Sequence, residues 1–139
     1  APGGRFAAIV DGPMEAAPGY AQVHDLIYRH VQVELPNYGR MELGDPRVRT
    51  AEGLVALVKE AFPDASVDVQ TELVAMSGPA ETLAEEAAGF FYAAFVLSPA
   101  ARRRMLDELA ALLRELSPGR VPEFTMPVNR IVVELAGSY

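Results

Sequence analysis

Residues 2–13 read PGGRFAAIVDGP. A Pro-Gly-Gly turn opens the segment and Asp11-Gly12-Pro13 closes it. Between them Arg5-Phe-Ala-Ala-Ile-Val10 is a short apolar run bounded by breakers. Such a run predicts a strand buried on both faces, of the kind found inside a parallel sheet. In a strand, Phe6, Ala8 and Val10 face one way and Ala7 and Ile9 the other.

Downstream the period changes. Tyr20, Val23, Ile27 and Val31 fall at helical spacing, which predicts a helix from about Tyr20 to Glu34, ended by Pro36. Asn37 to Pro46 is rich in Gly, Pro and Asn and reads as a loop. Thr50 is an N-cap for a helix with Leu54, Leu57, Val58 and Ala61 on one stripe, stopped by Pro63. Ser66 to Met76 alternates through Val67, Val69, Thr71, Leu73 and Ala75, which predicts a half-buried strand. Glu81 to Leu97 then reads as one helix with Leu83, Ala87, Phe90, Phe91, Ala94 and Phe95 on a broad face. Ser98-Pro99 starts another helix, with Met105, Leu109, Leu112 and Leu116 on its stripe, widened by Leu106 and Leu113. After a loop through Pro127, Arg130-Ile-Val-Val-Glu-Leu135 is a final strand. The expected class is α/β, with residues 1–139 as a single domain and about four helices.

Composition excludes several functions. The net charge of -7 opposes binding to a phosphate backbone, so no nucleic acid is expected as partner. The cluster Arg102, Arg103, Arg104 reads as a solvated helix face. No apolar run reaches membrane-spanning length, so no membrane is expected either; Phe90 to Leu97 is the longest. No basic region followed by an apolar one opens the chain, and there is no cysteine. A reducing, cytoplasmic setting is the expectation. The chain begins Ala-Pro-Gly-Gly, which fits a processed protein or a piece of a longer one. Acidic residues and histidines lack metal-ligand spacing, so no metal is expected. Neither a Gly-x-Ser-x-Gly nucleophile nor a P-loop is present.

The order strand, two helices, strand, two helices, strand resembles the C-terminal half of a class I S-adenosylmethionine-dependent methyltransferase of the small-molecule type. Pro2-Gly3-Gly4 stands where that family carries a turn before its fifth strand. Leu54-Val-Ala-Leu-Val-Lys-Glu-Ala-Phe62-Pro-Asp-Ala-Ser-Val67 resembles its helix, Glu-Ala-Gly-Phe, strand segment, although the Gly before Phe is absent. Arg130 to Leu135 looks like its closing strand, and Phe124-Thr-Met-Pro127 resembles small-molecule members. The resemblance implies a Rossmann-like half-fold, a three-stranded mixed sheet ordered 5-7-6 from the family order 3-2-1-4-5-7-6. It also implies S-adenosylmethionine as cofactor. The family's Gly-rich turn after its first strand, and the acidic residue that holds the ribose, have no counterpart here. The cofactor site is therefore incomplete in this chain.

Without its fourth strand, such a half-fold bares an apolar edge at the first strand. A second copy, or a separate complementing chain, is the expected cover, most simply across a two-fold axis. In open α/β sheets ligands sit beyond the carboxyl ends of the strands. That position holds Asp11 and Met14, which form a wall of the acceptor pocket or merely shape a turn. His24 is the candidate catalytic base, since an imidazole titrates near neutrality. The alternative is an ordinary helix-surface histidine. His30 lies six residues on and points elsewhere. Tyr20, Tyr28 and Tyr92 are candidate substrate-binding residues, while Phe91 and Phe95 fit core packing better.

The leading expectation is methyl transfer to a small-molecule acceptor, this chain supplying the acceptor side. A second expectation is a non-catalytic dimerisation or ligand-binding module that kept half of the fold, its helices meeting a partner through the Phe90 and Leu109 faces. A third is an unrelated α+β small-ligand binder.

Overall fold

The computed structural model describes residues 3–38 and 45–137. Its elements are β1 (Arg5–Asp11), α1 (Tyr20–Glu34), α2 (Ala51–Ala61), β2 (Ser66–Ser77), α3 (Ala80–Ala88), α4 (Pro99–Leu116) and β3 (Glu123–Glu134). Short 3-10 segments lie at Met14–Ala16, Pro46–Arg49 and Tyr92–Val96. Residues 39–44 of the expected loop, and Pro2 of the opening turn, fall outside the described residues. The class is α/β, with four helices and one three-stranded sheet ordered β1-β3-β2.

The sheet is antiparallel between neighbours, not mixed. β1 pairs with β3 from Arg5 opposite Glu134 to Asp11 opposite Val128. On the other side Thr71 meets Asn129, Gln70 meets Arg130, and the Gly78 N–H reaches the Pro122 carbonyl at 3.1 Å. The mixed expectation fails because the last strand, antiparallel to both others, lies between them. β1 and β2 run the same way but never touch as neighbours.

The chain divides into two compact units. The described part of the first comprises residues 3–16, 45–74 and 126–137. Its core is Leu54, Ala65, Ile131 and Val133, with Val10, Val58, Val67 and Val69 packed against them. Thr50 caps α2 as expected, its hydroxyl accepting from the Gly53 N–H at 3.0 Å. Gly53 is required there, because a Cβ would overlap the Arg47 carbonyl. Arg47 ties the segment before the helix to Asp45 and to Glu60 on α2.

β1 departs from expectation. It is an exposed edge strand, with Phe6 42% and Ile9 70% exposed, rather than a strand buried on both faces. Burial on both faces needs a neighbour on each edge and cover on each side. Here β3 alone is its neighbour, and within this unit only Val10 joins the core. β3 is also longer than expected, running back through Pro127 to Glu123. Proline is tolerated because its missing N–H falls on the β1 side, where β1 has already ended and Pro127 uses its carbonyl to accept from Gly12 at 3.1 Å.

The described part of the second unit comprises residues 17–38 and 75–125. α4 packs against both α1 and α3. Ala101, Met105, Leu109 and Leu113 form its buried stripe at four-residue spacing, with Ala110 beside it. The Ser98 hydroxyl accepts from the Ala101 N–H at 3.3 Å and Pro99 takes the first helical position, as the sequence predicts. The single helix expected from Glu81 to Leu97 does not form. α3 stops at Ala88, the Gly89 N–H closes the last turn, and a 3-10 segment follows. Phe91 is core, as expected, but the break rotates the later residues out of register and leaves Phe95 67% exposed.

Asn129 is fully buried on β3. Thr71 Oγ1 donates to its Oδ1 at 2.7 Å, while its Nδ2 has no partner among the described residues. An unsatisfied buried amide costs about 1–3 kcal/mol. Replacing Asn129 with the similarly sized Val removes that cost, and the exposed Thr71 hydroxyl can turn to water. Asn129→Val is therefore expected to stabilise the protein by about 1 kcal/mol in urea unfolding. A loss of stability would show that the amide is better satisfied in solution.

Candidate functional site

α1 carries the residues that come together. Tyr20, His24 and Tyr28 recur every four positions, so they share one face. The His24 ring stacks on Tyr28 with centroids 4.2 Å apart. Tyr20 stacks on Phe124 at 6.0 Å and tilts against Phe91 at 5.7 Å. Phe91 also meets the His24 ring edge at 6.1 Å, and Tyr28 meets Tyr38 at 6.0 Å. The result is a continuous aromatic band from Phe124 to Tyr38. Its spacings are those of favourable ring pairs. His24 keeps about a quarter of its side chain in solvent, and its Nδ1 lies 3.1 Å from Asp25 Oδ1. A carboxylate at one ring nitrogen orients an imidazole and leaves the other to exchange a proton.

The other expected site residues are not members of this band. Tyr92 is 86% exposed and has no ring contact among the described residues. Asp11 and Met14 belong to the first unit, exposed at the end of β1 and in the 3-10 segment that follows. The intervening Gly12 serves packing. A Cβ there would come within 2.9 Å of the Pro127 and Val128 backbone. Its lack of a side chain thus lets two chain segments approach each other rather than a ligand. Among the described residues no cluster of three or more His, Asp or Glu is arranged to hold a metal ion. No described helix is long and apolar enough to cross a membrane.

A second polar network on α1 was not legible in the sequence. His30 Nε2 lies 3.0 Å from Glu108 Oε2 on α4, and Arg29 Nη2 donates to the same oxygen at 3.2 Å. The His30 contact has the distance of a hydrogen bond but not its direction, so it acts as a charge pair once the imidazole is protonated. His30 and Glu108 are 78 positions apart, and only the packing of α1 on α4 joins them. A shallow groove lined by Asp25, Leu26, Arg29, Glu108 and Leu112 runs beside this network. At the start of α4, Glu34 accepts from the Ser98 hydroxyl at 2.6 Å and from its N–H at 3.0 Å.

No family model matches the chain, and no curated protein matches it.

Both carboxyls are held below their ordinary value of 4.5. For Glu34 the cause is first the Ser98 hydroxyl, then the Ser98 N–H. For Glu108 it is first the polar contact with His30, with Arg29 adding to it and partial burial opposing. A carboxyl depressed in the folded state contributes stability above its unfolded value, and that stability is lost as pH falls through the folded value. The melting temperature should therefore fall between pH 5 and pH 3. The double variant Glu34→Gln, Glu108→Gln should start lower at pH 7 and fall less, as followed by circular dichroism. Equal slopes for the two proteins would rule these groups out as a source of the acid sensitivity.

Proposed function

We propose that this chain supplies the acceptor side of a methyl transfer to a small molecule, with S-adenosylmethionine held by a segment that the 139 residues do not supply. The strand order carries the reading. The last strand lies between the first two, as strand 7 lies between 5 and 6 in the methyltransferase order, and α1 and α2 link two strands that run the same way. The half-fold, the cofactor and the small-molecule acceptor all belong to this proposal.

The α1 aromatic band is the acceptor site in this reading. Its ring faces suit a flat, largely apolar acceptor. His24 Nε2 takes the proton that the acceptor must lose, while Asp25 holds Nδ1. Tyr20 and Tyr28 position the acceptor beside it. Transfer of this kind depends mostly on alignment, so a rigid helix face is an apt platform. Asp11, Met14 and Tyr92 are not part of the band and carry no role in this reading.

One observation favours the second reading, a non-catalytic dimerisation module: β1 leaves an apolar edge unpaired among the described residues. Calorimetric titration separates the two. The 139-residue chain should show no firm binding of S-adenosylmethionine. It should bind 2-naphthol, with affinity falling about tenfold in His24→Ala, the scale of one lost ring pair. Firm cofactor binding would contradict the claim that its site lies elsewhere. An unchanged affinity for 2-naphthol in His24→Ala would remove the band as acceptor site.

A further inference from the structure

We propose that β1 is a dimerisation edge, pairing antiparallel with β1 of a second copy about a two-fold axis at Ala8. The backbone sets which groups are available. The Gly4 carbonyl accepts from the Leu135 N–H at 2.8 Å, and the Gly12 N–H donates to the Pro127 carbonyl at 3.1 Å. Successive strand residues direct these groups to opposite sides. The even-numbered residues of β1 therefore serve β3. Arg5, Ala7, Ile9 and Asp11 direct their N–H and C=O groups at the open edge, where no strand of the described residues lies.

Side chains select the register. An axis at Ala8 sets Ala7 opposite Ile9 of the second copy, Phe6 opposite Val10, and Arg5 opposite Asp11. Opposite charges then close both ends of the ladder, and apolar residues fill its centre. Opposite-charge and apolar cross-strand pairs each stabilise a sheet, whereas like charges face to face weaken it. Moving the axis to Ala7 leaves Arg5 against Ile9 and carries Asp11 beyond the start of the strand. Moving it to Ile9 sets Arg5 against Pro13, which has no N–H to give. Only the Ala8 register uses the whole strand.

The edge also lacks what keeps edges apart. It has no proline, no lysine and no inward-pointing charge at its centre, and Phe6 and Ile9 lie open on opposite faces. Arg5 already lies 3.7 Å from Glu134 of its own chain. A guanidinium has donors enough to meet Asp11 of a second copy as well. This pairing does not rest on the methyl-transfer reading, which would fill the same edge differently. A cofactor-bearing segment zipped along β1 would take the place of the second copy.

The chain has no cysteine, so engineered thiols report the register directly. At the axis the two Ala8 Cα atoms form a non-hydrogen-bonded pair about 4.5 Å apart, within disulfide reach. Two Ala7 residues are diagonal neighbours about 7–8 Å apart, beyond that reach. Under mild oxidation Ala8→Cys should give a covalent dimer and Ala7→Cys should stay largely uncrosslinked. Sedimentation of the unaltered chain should show a dimer, and Asp11→Arg should raise its dissociation constant about tenfold, two like-charge pairs replacing two attractive ones. A lone protomer at about 100 µM overturns the pairing, and so does a lone protomer whose odd-numbered β1 amides resist exchange. Equal crosslinking of the two cysteine variants, or an unchanged dimer in Asp11→Arg, overturns the register. The cofactor titration tests the other reading and leaves these outcomes untouched.

Discussion

β3 makes the hydrogen bonds that turn three strands into one sheet. It pairs with β1 along one side and with β2 along the other, and no other described strand lies between those two. Ile131 and Val133 place β3 in the core of the first unit, where they meet Leu54. Phe124, at its other end, packs in the second unit against Tyr20 and Phe91. Among the described residues, β3 is the one strand that pairs with β1. Folding of the sheet therefore waits on contacts between residues as distant as Arg5 and Glu134, a long loop to close before its reward.

Local chemistry made the helices legible. Thr50 and Ser98-Pro99 start their helices through short-range hydrogen bonds that depend on few other residues. The stripe from Tyr20 to Val31 likewise states which face of α1 is buried. The same reasoning failed where neighbours decide. An apolar run such as Phe6–Val10 has one appearance whether a sheet buries it or an edge exposes it, and only the strand order distinguishes them. Gly89 carried a signal for the end of α3, but the apolar residues after it kept the helical period and masked it. Pro127 suggested a loop, since the permissive side of a strand is visible only after the register is known.

The candidate site shows the same division. Tyr20, His24 and Tyr28 are four apart on one helix, so their meeting was readable from spacing alone. Phe91 and Phe124 complete the band from distant positions, and no local pattern announces them. His30 gave no signal as a lone histidine because its carboxylate partner arrives on α4. The sequence weighed His24 over His30 on its aromatic surroundings. The structure gives each histidine an acidic neighbour, Asp25 for one and Glu108 for the other, and distinguishes them by context. His24 sits among ring faces and keeps about a quarter of its side chain in solvent. His30 is more buried and joins two packed helices, a position suited to holding the unit together.

Charge limits how such a molecule meets its own kind. Each copy carries a net charge of -7, so two copies repel at long range. That repulsion is screened beyond about 8 Å at physiological salt. A backbone ladder acts at hydrogen-bond distance and loses little to the same screening. A short, local surface where the acidic excess is absent escapes most of that repulsion. β1 is such a surface: its one acid, Asp11, is matched by its one base, Arg5, and the residues between carry no charge. An edge that is neutral and symmetric in its own charge pattern can approach itself without local like-charge repulsion.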